Sequence, residues 1–169
     1  MAENEGNNPE AAAAPAADQP EGPHFALQRI YLKDSSFESP RSPAVFQSQW
    51  QPKINFDIKL KNSKIEDGIF EVVLVLTVEA TLEDEPGFIV EVHQAGIFIA
   101  KDFEALQLEQ LLSTVCPNIL FPYAREAVDG LVVRGSFPAL MLPPTNFDAL
   151  YAQQKQAAEA NAGGETPES

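Results

Sequence analysis

One cysteine, Cys116, and two histidines, His24 and His93, are the side chains here best suited to act as nucleophile, general base or soft metal ligand. A reactive thiol needs a base or a cationic neighbour to lower its pKa. Cys116 instead precedes Pro117, with no histidine close in sequence, and reads as a small apolar residue at a helix start. Metal sites need several ligands at fixed spacing, and the sequence has no HExxH, no CxxC and no paired histidines. It has no GxSxG elbow and no phosphate-binding loop. Carboxylates are numerous but scattered, and Glu83–Asp84–Glu85 reads as a solvated turn. An enzyme would need a compact pocket with a perturbed titratable pair, and no such pair is legible. No catalytic residue, metal or cofactor is therefore assigned.

The distinctive side chains are aromatic. Phe37, Phe46, Trp50, Phe121, Tyr123, Phe137, Phe147 and Tyr151 lie largely beside prolines and connections, where they could line an apolar groove. The stretch CPNILFPYARE, Cys116–Glu126, concentrates this character around a proline-broken turn. Charge narrows the partners. The chain has 25 acidic and 11 basic residues, a net charge of −14. That disfavours nucleic acid and anionic membrane surfaces and suits a basic partner. A single cysteine and a start, MAENEGNNPE, without a secretory pattern point to a cytoplasmic protein. No apolar run reaches the roughly 18 residues of a membrane span, so no membrane insertion is expected.

Residues 1–23 are rich in Ala, Pro, Glu, Asn and Gln and lack Lys and Arg, which predicts a disordered acidic tail. Residues 159–169 read as a second tail, leaving an ordered domain over 24–158. Within it, FALQRIYLKDSSFE is a strand in which Phe25, Leu27, Arg29 and Tyr31 share one face and Ala26, Gln28, Ile30 and Leu32 the other. INFDIKLK alternates strictly. IFEVVLVLTVEATLE and FIVEVHQAGIFIA are long strands, apolar on both faces at their centres. Short connections favour antiparallel pairing. Asp102–Val115 then shows helical spacing through Leu108, Leu111, Leu112 and Val115, with Asp102 as N-cap. A second helix starts at Cys116, with Pro117 in its first turn and Pro122 kinking or restarting it, and stops near Gly135. Asn146 caps a third. Strands followed by helices make an α+β fold with a four-stranded antiparallel sheet. Two-faced strands need cover on both sides, which one short chain supplies most simply by assembling with copies of itself.

The blocks RIYLKDSSFESP (Arg29–Pro40), VFQSQWQP (Val45–Pro52), EVVLVLTV (Glu71–Val78), EVHQAGIF (Glu91–Phe98), CPNILFPYARE, RGSFP (Arg134–Pro138) and PTNFDALY (Pro144–Tyr151) occur in collinear order. Together they resemble the bacterial protein-export chaperone family SecB. The resemblance implies a homotetramer, a dimer of dimers with helices sandwiched between them. It implies ATP-independent binding of unfolded precursor proteins and their delivery to the SecA translocation motor. It places SecA-binding residues at Asp34, Glu38, Ile89 and Glu91, and a client-peptide groove at Phe37, Trp50, Phe121, Tyr123 and Phe137. It places oligomer contacts at Val90, Val92, Gln94, Leu108, Leu111 and Leu112. The alternative is an oligomeric structural or interaction protein that holds no client.

Overall fold

The computed structural model describes residues 22–162. Four strands, β1 (His24–Glu38), β2 (Lys53–Glu66), β3 (Ile69–Leu82) and β4 (Glu85–Lys101), form one antiparallel sheet in the order β1-β4-β3-β2. Two-residue turns join the last three. Glu83 and Asp84 both adopt positive φ, 56° and 60°, the twist that suits a tight hairpin. Gly68, at φ 71°, serves the β2–β3 turn. The order is not a simple meander. Residues 39–52, with a short 3-10 turn at Ala44–Gln47, carry the chain from β1 at one edge to β2 at the other. Pro40 and Pro43 end β1 and forbid an immediate hairpin.

β3 and β4 are apolar on both faces at their centres, as expected. Val72, Leu74, Leu76 and Val78 of β3 and Phe88, Val90, Val92 and Phe98 of β4 form the inner face, all without exposed surface. Val73, Val75 and Ala95 lie on the outer face with Tyr31. The two faces assigned to β1 do not persist along it, because the register slips between Leu27 and Arg29 and again between Leu32 and Asp34. Each slip inserts one residue and flips the faces beyond it. Phe25, Ile30 and Phe37 therefore all pack on the inner core, although Phe25 and Ile30 were assigned to opposite faces.

The two helices expected after the sheet are one continuous rod. α1 (Ala105–Gln110) runs through a π-helical turn at Leu111–Val115 directly into α2 (Cys116–Arg134). The Cys116 amide donates five residues back, to the Leu111 carbonyl. Pro117 explains the widened turn: it has no amide to give the Ser113 carbonyl, and its ring would crowd that carbonyl in a regular helix. Cys116 is thus buried in mid-rod, not at a helix start, and burial pushes its thiol up to about 12. Pro122 lies inside α2 without dividing it. Asp102 is not the N-cap either; it sits at φ 60° in the preceding turn, and Glu104 flanks the first helical residue. The helix ends before Gly135, as expected.

Leu112, Cys116, Leu120, Ala124, Val128 and Val132 repeat every fourth position and are all buried against β3 and β4. Val115, expected on that stripe, is exposed, because the wide turn rotates it outward. Residues 136–146 return along α2 without regular structure. Asp129 Oδ1 accepts from the amides of Leu140 and Met141, and Arg125 donates to the Leu142 carbonyl. These bonds satisfy backbone that no ladder satisfies. α3 (Phe147–Ala162) begins at the expected cap, with Asn146 Oδ1 accepting from the Ala149 amide at 3.0 Å. It runs past the expected boundary at 158. Most of both expected tails, residues 1–21 and 163–169, lie outside the described residues.

Rod and sheet approach closely at Gly96 of β4. A Cβ there would lie 2.7 Å from the Phe98 ring and 3.0 Å from a Leu120 methyl, both wholly buried. Gly96→Ala should therefore destabilise the fold by about 1–3 kcal/mol through overpacking, despite alanine's easier backbone. Urea unfolding followed through Trp50 fluorescence, at fixed protein concentration, measures it.

Candidate functional site

The sheet separates two surfaces of different chemistry. On the inner side, the rod covers β3 and β4 but not β2. Ile54 and Phe56 of β2 keep 42% and 38% of their surface exposed, although they share a face with the buried residues of β3. Ile58 and Leu60 continue the row and are half-buried. Beside them opens a cleft of about 480 Å³, lined by Phe56, Ile58, Leu60, Pro143, Phe147, Leu150 and Tyr151. Four alternate residues of a strand span about 20 Å, enough for an extended peptide of several residues.

At the Trp50 end of this row lies an aromatic cluster. Trp50 contacts Phe137 at 4.8 Å between ring centroids and Phe88 at 5.9 Å, while Phe37 and Phe46 meet Phe137 at 6.2 and 5.3 Å. Gly87 makes room for it: a Cβ there would be 2.9 Å from the indole. Three expected groove residues, Phe37, Trp50 and Phe137, are thus brought together, but Phe137 is buried as the hub. Phe46 is the cluster's half-exposed member.

The other two expected groove residues do not join that cluster. Phe121 is buried and pairs with Phe147 at 6.0 Å, behind the β2 cleft. Tyr123 is 51% exposed. Two residues along a helix turn about 200°, so the two rings point to opposite sides. The row Ile54, Phe56, Ile58 and Leu60 was read only as the core face of a strand. Its availability depends on where the rod stops, which no local pattern records.

The outer side is polar at its rim. Register places Asp34 opposite His93, Ser36 opposite Glu91 and Glu38 opposite Ile89, so Asp34, Glu38, Ile89 and Glu91 share one face along the β1–β4 ladder. They were named from two separate stretches, and the fold brings them into one patch. The Glu91 carboxylate is gripped at both oxygens, His93 Nε2 donating to Oε1 at 2.6 Å and Thr77 Oγ1 to Oε2 at 3.0 Å. The His93 bond first, then the Thr77 bond, hold its pKa below the usual carboxylate value. Lys33, rotated onto this face by the bulge, donates to both Glu71 oxygens at 2.8 Å, and Tyr31 donates its hydroxyl proton to Glu71 as well. Glu71 thus takes up the charge of Lys33, the residue next to Asp34 in the chain. Among the described residues, no group of three or more His, Cys, Asp or Glu side chains could hold a metal ion.

Of the expected oligomer contacts, Val90 and Val92 have no exposed surface and Gln94 has 4%. All three belong to the inner face beneath the rod, and Gln94 donates to the Tyr31 carbonyl at 3.0 Å. Their side chains are spent inside the subunit, and Leu112 is buried with them. Leu108 and Leu111, on α1 and the wide turn, retain partial exposure, and Leu106 beside them is well exposed.

Residues 18–158 match the family model described as preprotein translocase subunit SecB. The chain belongs to the SecB family. It is 56% identical over 151 residues to the protein-export protein SecB of Hahella chejuensis, covering 88% of this chain and 95% of that one. It is also 56% identical to the protein of that name from Marinobacter nauticus, covering 86% and 88%, and 54% identical to the one from Pseudomonas syringae pv. syringae, covering 89% and 92%. A SecB-like chaperone of Mycobacterium tuberculosis, solved with an antitoxin peptide, shares the fold at TM-score 0.61 and 18% identity, covering 72% of this chain and 91% of that one. SecB is a family of protein-export chaperones and not of enzymes, and the α+β fold read from the sequence agrees with it. Among the described residues, no helix is long and apolar enough to cross a membrane.

The Glu71 cluster makes a pH prediction for this SecB chain. The hydrogen bond from Lys33, then that from Tyr31, lowers the Glu71 pKa. A depressed carboxylate stabilises the fold above its unfolded pKa, and the gain is lost as pH falls through the folded value. The stability difference between wild type and Glu71→Gln should thus be largest at neutral pH and shrink in acid. Urea midpoints across that range test it, and a gap independent of pH would assign the effect to packing.

Proposed function

We propose that this chain binds unfolded precursor polypeptides along the uncovered inner face of β2 and its flanking aromatic cluster, keeps them competent for export, and passes them to SecA. The observation that carries the reading is the row Ile54, Phe56, Ile58 and Leu60, left open by the rod and continued by an apolar cleft. Burial there is non-directional, so many sequences can be held. It acts by mass action on the unfolded state and needs no nucleotide. The M. tuberculosis relative, captured with a peptide, uses the same fold.

Membership of the SecB family supports the remaining parts of the proposal. The acidic outer patch of Asp34, Glu38, Ile89 and Glu91 is the docking surface for SecA, on the side of the sheet away from the client. Copies associate through α1 and the wide turn, at Leu108 and Leu111, into a homotetramer. Val90, Val92 and Gln94 act on that contact only through the rod they support. Several grooves on one tetramer add avidity along one long client. The chaperone domain starts at residue 24 and includes the whole of α3, and the protein works in the cytoplasm.

Ile54→Asp with Phe56→Asp should reduce suppression of aggregation about tenfold, since two apolar anchors become charged. Both sites are partly exposed, so the fold should survive, as far-UV circular dichroism will show. Light scattering of a denatured, reduced client reads the loss. Unchanged suppression would favour an assembly that holds no client.

Charge reversal at Asp34, Glu38 and Glu91 should weaken SecA binding, more strongly at low salt, and leave client holding intact. Calorimetric titration at two ionic strengths separates the effects. An equal fall in client holding would mean that the two surfaces are not separate.

A further inference from the structure

We infer that His93 is a positioning residue of the outer acidic patch: it fixes the Glu91 carboxylate in the orientation that a basic partner docks against. The inference rests on the docking role proposed for that patch.

The geometry is specific. Glu91 and His93 are two residues apart on β4, so both side chains leave the sheet on its outer face. Thr77 is the cross-strand neighbour of Glu91 on β3, and Asp34 is the neighbour of His93 on β1. His93 thus stands between the two carboxylates of the patch that lie nearest the middle of the ladder. Its Nε2–H donates to Glu91 Oε1 at 2.6 Å, and Thr77 holds Oε2 at 3.0 Å. A partly exposed glutamate without such donors samples many rotamers and must be ordered when a partner binds. Here the ordering is done in advance by the sheet.

The neighbouring charges do not compete for the role. Lys59 on β2 lies on the same outer face and acts on Glu91 only through space, as the least of the causes that lower the Glu91 pKa; the Lys59 ammonium is 3.6 Å from Asp57. Lys33 is held by Glu71. Asp34 Oδ1 accepts from the Ser35 amide at 2.8 Å and is therefore also fixed. Among the described residues, His93 is the only ring or cationic side chain within hydrogen-bond reach of Glu91.

The experiment compares His93→Leu, which removes the donor, with His93→Gln, whose amide restores one, in the full chain. Glu91→Gln is the control for the docking surface itself. Three quantities are read: affinity for purified SecA, suppression of client aggregation, and the titration of the Glu91 side-chain carboxyl by carbon-detected NMR. His93→Leu should weaken SecA binding about three- to tenfold, the range for losing one ordinary hydrogen bond, because the lost bond orients Glu91 and does not itself touch the partner. It should raise the Glu91 titration midpoint towards the ordinary value. His93→Gln should restore both, and client holding should not change in either variant. A Glu91 midpoint unmoved in His93→Leu overturns the inference. So does full SecA affinity in His93→Leu where Glu91→Gln is impaired. If Glu91→Gln itself binds SecA normally, the docking role of the patch fails, and the role of His93 fails with it.

Discussion

The contact between a single helical rod and the middle of the sheet organises everything else in this molecule. A stripe of side chains at every fourth position, from Leu112 to Val132, sits on β3 and β4, with Gly96 allowing the approach. One rod is about 10 Å across, and strands lie slightly under 5 Å apart. It can cover about two strands and no more. β2 therefore keeps apolar surface open on the inner side, and among the described residues no helix packs on the outer face. Both proposed functional surfaces are what this one contact leaves uncovered.

The same arrangement keeps the two surfaces apart. Alternate residues of a strand point to opposite sides. On β4, Val90 and Val92 fill the core, while Ile89, Glu91 and His93 face outward. The proposed client row on the inner side and the proposed docking patch on the outer side thus share no side chain. The bulges of β1 are part of this. The one after Leu32 puts both Lys33 and Asp34 on the outer face, where Glu71 takes the lysine and leaves the aspartate.

Two prolines in the rod have different consequences. Pro117 coincides with the π turn that joins α1 to α2 and swings Val115 outward, beside Leu111. Pro122 is absorbed, at an exposed position where a free carbonyl can be hydrated. The wide turn thus changes which apolar residues face away from the subunit, and so what the rod can offer to another copy.

Much was legible in the residues alone. The alternation in INFDIKLK and the two-faced centres of β3 and β4 reported strands and their sides, because side-chain direction in a strand follows a period of two regardless of context. The Asn146 cap and the stop before Gly135 were local and were read correctly. The faces of β1 were not, since a bulge depends on the partner strand and its place cannot be fixed from the strand's own pattern. Nor was the unbroken rod, because Pro117 permits either a new helix or a widened turn, and its local sequence does not distinguish them.

For the site the division is similar. The sequence alone set the types of side chain available: many aromatic groups, excess carboxylate, and no assembled acid–base or metal set. Only the tertiary structure decided which of them are free. Val90 and Glu91 are adjacent in the chain, yet one is core and the other is surface. Phe137 is a buried hub, while Phe56, an ordinary strand residue by pattern, is exposed. Exposure is a property of what packs above a residue, and that is fixed by contacts between segments far apart in the chain.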